Sequence, residues 1–423
     1  MSGDTIKTKY RHIKAGFEFK KTPLFRWISA REPVSVANTL PITWSRARDS
    51  SVWDDRGNRW IDMTSGIFVA NAGHANPKIK RAIKKQLDND LVFAYNYPTE
   101  IKKGFIKKLL ALSPKYFDAV ALLNSGSEAM DSVYKLIKLY GRKTGKKYIV
   151  SFTGNYHGRG LSNDLISGSK TKASWSGVHD DAVLFLDFPY DPETPFNPKL
   201  LPPGETIAGF IIETFQGWGA WFYPKKFITD LATFARKNGA LMCFDEMQSG
   251  FYRLGPLYGY MTYGNIAPDI LALGKGISSS LPLSAVLSRK ELFDIDTNAD
   301  LHGTHSGNTI AMAAGLANLE LLSSEKEARR RRKTSTVFEQ ELKKLERSPL
   351  IERVNVRGLI AGIIFKSRVD SEAVVFECVK RGVLLMLIPR NSIKLAPPLS
   401  ISEGALREAL AVIQEVINER GGS

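Results

Sequence analysis

The sequence predicts an α/β protein: a large domain with a mostly parallel, seven-stranded sheet covered by helices, and a smaller α+β domain from the two chain ends. Three observations carry this. Short apolar runs alternate with helix-length stretches from about residue 65 to 300. After about residue 310 the pattern changes to a long helix, a basic tract and then a strand-and-helix unit. The 423 residues are 43% hydrophobic and 24% charged, an ordinary globular balance that excludes disorder as the main state.

The elements follow in order. Residues 1–60 read as irregular, with one hairpin where VWDDRGNRWIDM turns at Asp55–Asn58. Candidate strands are Ala119–Leu123, Tyr148–Phe152, Ala182–Leu186, Ala208–Ile212, Ala240–Phe244, Ile270–Leu273 and Ser284–Leu287. Ile310–Leu322 reads as a helix, and the run Lys326–Lys333 (KEARRRRK) as its solvated continuation. GLIAGIIFKS, SEAVVFECVKRG, VLLMLIP, IKLAPPLSI and a final helix Glu403–Arg420 complete the smaller domain. The expected division is 1–64 as an N-terminal part of the small domain, 65–310 as the large domain and 311–423 as the rest of the small one. No repeat or low-complexity linker interrupts it.

Composition and missing motifs exclude several classes. No apolar run reaches the ~18 residues that span a bilayer, and the longest, such as Val383–Pro389, reads as a buried strand. The N-terminal stretch has no apolar signal core. Cys243 and Cys378 lie in apolar surroundings and read as two reduced core thiols of a cytoplasmic protein. The net charge of +16 suits anionic ligands, nucleic acid or plain solubility. No aromatic platform or reading module accompanies it, so nucleic acid is not expected. Neither a P-loop, a dinucleotide G-x-G-x-x-G, an H-E-x-x-H nor a G-x-S-x-G elbow is present, and His302 and His305 lack a further ligand pattern, so no metal is expected.

In open parallel sheets, ligands sit beyond the carboxyl ends of the strands. After Ala119–Leu123 comes NSGSEAMDS: Ser125 and Glu128 fit a capping box, and the N–H groups of Gly126 and Ser127 at the helix start suit a phosphate. After Tyr148–Phe152, Tyr156 can stack on a ring and Arg159 can hold a carboxylate, while His157 reads as structural. Glu213 and Asp245 end two apolar strands, where a carboxylate needs a cationic partner. Lys275 follows the next strand between Gly274 and Gly276, placed to act as a desolvated amine nucleophile. Thr304 in HGTHSGN can donate to a phosphate. A phosphate cradle, an aromatic stacker, a strand-end acid and a lysine thirty residues beyond it are the parts of a pyridoxal 5'-phosphate site.

From about Pro41 to Ile401 the chain resembles the class III (ω-type) aminotransferases of fold type I. The motifs stand in family order: VWDDRGNRWIDMTSG, NAGHANPKI, NSGSEAMDS, YHGRG, IIETFQG, CFDEMQSGFYRLG, LGKGIS, HGTHSGN and IKLAPPLSI. The resemblance implies that Gly126 and Ser127 hold the cofactor phosphate and Tyr156 stacks on its ring. Asp245 pairs with the pyridine nitrogen, Gln248 lies near the ring hydroxyl, and Lys275 is the Schiff-base lysine. Thr304 reaches the phosphate of a neighbouring subunit, which implies a homodimer with shared active sites. Arg159 binds a substrate carboxylate. Two positions depart from the glutamate-using members. Trp218 replaces a Glu and Lys394 an Arg that form a switchable pair there, so recognition by that gate is not expected. The implied reaction is ping-pong transfer of an amino group from a primary amine or ω-amino acid to a 2-oxo acid. The same fold also hosts epimerases, aminomutases, decarboxylases and lyases dependent on this cofactor. More remote readings are a basic nucleic-acid-binding protein and a non-catalytic relative.

Overall fold

Seven apolar runs in the middle of the chain pair into one sheet, whose order decides where the functional side chains emerge. The computed structural model describes residues 4–37, 40–169, 173–388 and 390–422. Across the sheet the strands run Ala119–Leu123, Ser284–Ser288, Ile270–Leu273, Leu241–Asp245, Ile207–Glu213, Tyr148–Phe152 and Val183–Leu186. Ser284–Ser288 is antiparallel to both neighbours; the other six run parallel. The strand cores are almost continuously buried, as strands covered on both faces must be.

The sequence reading of this sheet holds to within a residue or so at each strand end. The capping box is present too. Ser125 Oγ accepts from the Glu128 N–H, and the Glu128 carboxylate accepts from the Asn124 and Ser125 N–H groups, starting the helix Gly126–Thr144. Its face Ala129, Met130, Val133, Leu136 and Ile137 packs on the sheet with Ile149, Ala208, Ile211 and Cys243. The apolar helix Thr309–Leu322 packs against Pro77–Leu87 and Glu100–Leu112.

The chain divides into two compact units. Residues 77–217 and 221–324 carry the seven-stranded sheet; residues 1–76, 218–220 and 325–423 form the other unit. In this second unit, Arg59–Asp62 pairs with Ser51–Asp54, His12–Ile13 and, in parallel, Val383–Leu384. A second antiparallel sheet holds Ile351–Arg357, Ile360–Phe365 and Ser392–Leu395. Helices Glu325–Lys343, Arg368–Lys380 and Glu403–Gly421 accompany the sheets.

Three expectations change. Residues 1–60 are not irregular: strands Ile6–Lys7, His12–Ile13 and Trp44–Arg48 and the helix Pro23–Ser29 precede the hairpin. The strands there are two to five residues long, too short to show a period. The basic tract does not continue the preceding helix; Ser323 caps that helix and a new one begins at Glu325. In that new helix Arg329 and Arg332 pair with Glu325. Of the run Val383–Pro389, strand pairing covers Val383–Leu384, residues 385–388 carry no regular structure, and Pro389 lies outside the described residues. Cys243 and Cys378 are unpaired and buried. Among the described residues no helix is long and apolar enough to cross a membrane, and no acid, His and Cys cluster could hold a metal ion.

Candidate active site

The parallel register brings the strand-end chemistry together. Asp245 pairs in register with Glu213 on one side and Ala272 on the other. Two carboxylates therefore end neighbouring strands, and Lys275 follows three residues after Ala272. Gly126, Ser127, Tyr156, Glu213, Asp245, Gln248 and Lys275 line one cavity of about 160 Å³, with His157, Gly158 and Met247.

Lys275 sits on a short turn after Gly274 with φ +44°, a left-handed conformation unusual for a residue with a side chain. Such strain persists only where the surroundings over-determine it. Burial pushes the ammonium pKa down, while Asp245 and Glu213 pull it back up. Among the described residues its Nζ has no hydrogen bond. The amine is thus held near two carboxylates without being consumed by either.

Asp245 is 5% exposed and fully engaged. Its Oδ1 accepts from the Met247 N–H at 3.0 Å and its Oδ2 meets His157 Nδ1 at 2.8 Å. With Asp245 ionised, Nδ1 is the donor. His157 Nε2 is buried without a partner among the described residues. The expected cationic neighbour of this acid is Lys275, and the hydrogen-bonding neighbour is an imidazole that the sequence marked as merely structural.

Glu213, also buried, joins the two walls of the cavity. Its Oε2 accepts from the Tyr156 N–H at 2.9 Å and its Oε1 from Gln248 Nε2 at 3.4 Å. Tyr156 is 38% exposed, and its hydroxyl accepts from Arg159 Nε at 3.3 Å. The Arg159 N–H donates to Ser127 Oγ at 3.0 Å, and Gly158, at φ +121°, leaves no room there for a Cβ. The first N–H groups of the Gly126–Thr144 helix, those of Gly126 and Ser127, have no acceptor among the described residues. They line the cavity where the helix dipole favours an anion.

Met247 is the side chain that sequence reasoning overlooked. A Cβ on Gly126 would stand 2.9 Å from its sulfur, and one on Gly274 would stand 2.5 Å from the same atom. The thioether fills the space between the helix start and the lysine turn, so both glycines are required by packing. The neighbouring Glu246 turns away into full burial. It accepts from Thr214 Oγ1, Ser249 Oγ and the Gly259 and Tyr260 N–H groups at 2.6–2.7 Å. Burial raises its pKa against these four donors. Glu213 is marked by its strand end, though its bonds to Tyr156 and Gln248 are not; nothing in the irregular loop signals the bond from His157 to Asp245.

Four expected site residues do not line this cavity: Arg159, bonded to the lining residues Tyr156 and Ser127, and also Thr304, Trp218 and Lys394. Thr304 is exposed, in a turn between His302 and His305, whose rings meet Tyr95 and Phe93. Around it Leu91, Val92, Phe93, Tyr95 and Tyr97 are 39–74% exposed. Trp218 and Lys394 belong to the unit of the chain ends. There Ser392 Oγ donates to the Trp218 carbonyl at 3.0 Å, and Arg390 stacks on the Trp218 ring at 4.5 Å. Lys394 is buried with its ammonium 4.4 Å from the Phe68 ring centroid.

This donor set fits pyridoxal phosphate: a buried amine, an ionisable acid across from it, an aromatic face, and a glycine-opened helix start with two unsatisfied N–H groups. Comparison with known proteins gives a family. Residues 33–417 match the family model described as Aminotransferase class-III. A 2-aminoadipate transaminase of Pseudomonas putida is 33% identical over 412 residues, covering 91% of this chain and 98% of its own. A putative [LysW]-aminoadipate semialdehyde/glutamate semialdehyde transaminase of Pyrobaculum aerophilum is 32% identical over 371 residues, covering 87% and 93%. The solved ornithine aminotransferase of Toxoplasma gondii, described with partial occupancy of pyridoxal phosphate at its active site, superposes with a TM-score of 0.86. It is 23% identical, with 95% and 97% of the two chains covered.

Proposed function

The chain belongs to the class III aminotransferases, a family of pyridoxal-phosphate enzymes, and on that premise we propose that the Lys275 cavity is its cofactor and reaction site. Its reaction is transamination. The observation that carries the assignment is the shared cavity of Lys275, Asp245 and the unsatisfied Gly126 and Ser127 N–H groups.

Each residue then has a task. Gly126 and Ser127 hold the phosphate through their N–H groups, and Tyr156 covers one ring face. Asp245, fixed by His157 and the Met247 N–H, faces the pyridine nitrogen as an anion and keeps a proton there. Gln248, tethered to Glu213, faces the ring hydroxyl. When bound, the cofactor supplies an electron sink for charge developing on the substrate carbon. Lys275, whose ammonium is destabilised by burial, is the group that takes and returns the proton at that carbon. Arg159 receives a carboxylate of the amine donor or of the 2-oxo acid.

Thr304 serves the phosphate of a second copy, in a homodimer with shared sites. Support comes from the exposed apolar patch around it, of a kind that soluble chains cover with a partner. Two buried, unpaired thiols suit the cytoplasm. The donors of the relatives, 2-aminoadipate among them, point to a carboxylated amine.

The test is an absorption spectrum of the purified protein with added pyridoxal phosphate, followed by borohydride reduction and peptide mass mapping. Attachment at Lys275, bleaching by one amine and recovery with one 2-oxo acid are expected. Absence of any lysine adduct, or initial-rate lines that exclude a substituted-enzyme cycle, would overturn the assignment.

A further inference from the structure

We propose that an open cavity at the amino ends of the strands Tyr148–Phe152 and Val183–Leu186 binds a phosphate compound of two or more negative charges, a phosphate ester or a diphosphate, separately from the reaction site. The cavity measures about 580 Å³, within the range of small-molecule sites. It shares no lining residue with the Lys275 cavity, and every residue around it belongs to the unit of the seven-stranded sheet.

A chain reversal gathers the charges. The helix Gly126–Thr144 ends at Gly145, left-handed at φ +72°, and the Lys146 N–H donates to the Gly141 carbonyl at 2.8 Å. The reversal sets the helix cations Lys138 and Arg142 beside Lys146 and Lys147, which lead into the strand at Tyr148. Asp180 and Asp181 line the same cavity, just ahead of the strand Val183–Leu186. The negative end of the helix dipole favours a cation here. Lys143, in the same last turn but outside the cavity, already supplies one, so four lining cations exceed that need.

Carboxylates meet only part of this positive charge. Asp180 is taken up by Lys138 at 2.8 Å and by the Tyr134 hydroxyl. Arg142 gives one nitrogen, Nη2, to Asp296, and among the described residues the rest of its fork has no acceptor. Lys146 carries the argument. Its partly buried Nζ donates to the carbonyls of Glu205 at 2.9 Å and Asn238 at 2.7 Å, and among the described residues no carboxylate pairs with it. Two carbonyl oxygens fix the ammonium in place without neutralising it, and it has a third N–H to give. Lys147 Nζ stands 5.1 Å from the Tyr148 ring centroid, again with no carboxylate partner among the described residues. A fixed ammonium beside a second lysine and an open guanidinium suits phosphate oxygens, which accept from point charges and from planar forks alike. Asp181 repels an anion at the same cavity, so a ligand needs more than one charge to be held.

The test is calorimetric titration of inorganic pyrophosphate into the enzyme loaded with pyridoxal phosphate, which keeps the Gly126 and Ser127 N–H groups engaged. One saturable site is expected, weakening with added salt, and acetate should show none. Lys146→Met and Lys147→Met should each weaken binding roughly tenfold, as the loss of one charge-assisted bond predicts. Lys143→Met removes the same charge just outside the cavity and should change affinity by less than about twofold. Lys146 also ties down two backbone carbonyls, so Lys147→Met, which breaks no side-chain hydrogen bond, decides the matter if Lys146→Met does not fold. Absence of saturable binding, binding untouched by Lys147→Met, or an equal loss with Lys143→Met would overturn the proposal. None of these readings depends on transfer of an amino group, so they stand apart from the test of the Lys275 site.

Discussion

The packing of Met247 between Gly126 and Gly274 gives a quantitative test of the site architecture. A methyl group at position 126 would sit 2.9 Å from the Met247 sulfur and 3.4 Å from its Cε. On its other side the sulfur lies against Gly274, 2.5 Å from where a Cβ would stand there, so its movement that way is limited by the glycine backbone. Overpacking of this kind costs about 1–3 kcal/mol. Helix propensity returns at most about 1 kcal/mol, and less at a first helical position. Gly126→Ala should therefore destabilise the cofactor-free protein by about 1 kcal/mol. Met247→Ala alone should cost about 2–5 kcal/mol, as a buried truncation does. In the double variant the new methyl group enters the vacated space. Its cost should fall about 1–2 kcal/mol short of the sum, a coupling typical of residues in contact. Urea unfolding followed by circular dichroism, with m compared across the four proteins, reads these values. Additivity within roughly 0.5 kcal/mol would refute the wedge.

Other outcomes follow from the same geometry. Lys275→Ala should abolish turnover in steady-state assays, whereas Arg159→Ala should chiefly raise KM for carboxylated substrates. His157→Leu should weaken catalysis more than cofactor binding, since it leaves Asp245 without its Oδ2 partner; equilibrium titration with pyridoxal phosphate alongside kcat separates the two. Glu246→Gln should lower stability by about 1–3 kcal/mol, because an amide NH₂ must face a backbone N–H of Gly259 or Tyr260. The raised Glu246 pKa also sets a sign. Its contribution is full below the ordinary carboxyl range and is lost as pH rises through the folded value, a decline the Gln variant should lack in pH-dependent unfolding. Phe93→Glu should shift sedimentation toward monomer and reduce activity together if the exposed patch joins two copies.

Much of the sheet unit could be read from the sequence. Its strands are buried on both faces, so each shows as an apolar run with the functional residue just beyond it. The helix after Leu123 announced itself through Ser125 and Glu128, whose side chains make the bonds their spacing implies. The N-terminal strands did not, because at two to five residues they are too short to show a period, and Arg59–Asp62 takes two of its partners from distant chain. The roles of His157 and Met247 depend on what a loop and a turn happen to meet in space. Asp245 could be named from its strand end, but not the imidazole that orients it.

The pairing of Arg59–Asp62 with Val383–Leu384 has a consequence for the order in which the protein can be made. The indole N–H of Trp60, fully buried in the finished fold, donates to the Val379 carbonyl. During synthesis at about 5–20 residues per second, these first strands wait some tens of seconds for the partner that covers them. By then every residue of the seven-stranded sheet has left the ribosome and can have closed its own core. A chain that stops short of residue 379 would keep a complete set of sheet strands while leaving Trp60 and its neighbours bare. Such a truncation should be found with chaperones or proteases rather than as a smaller working enzyme.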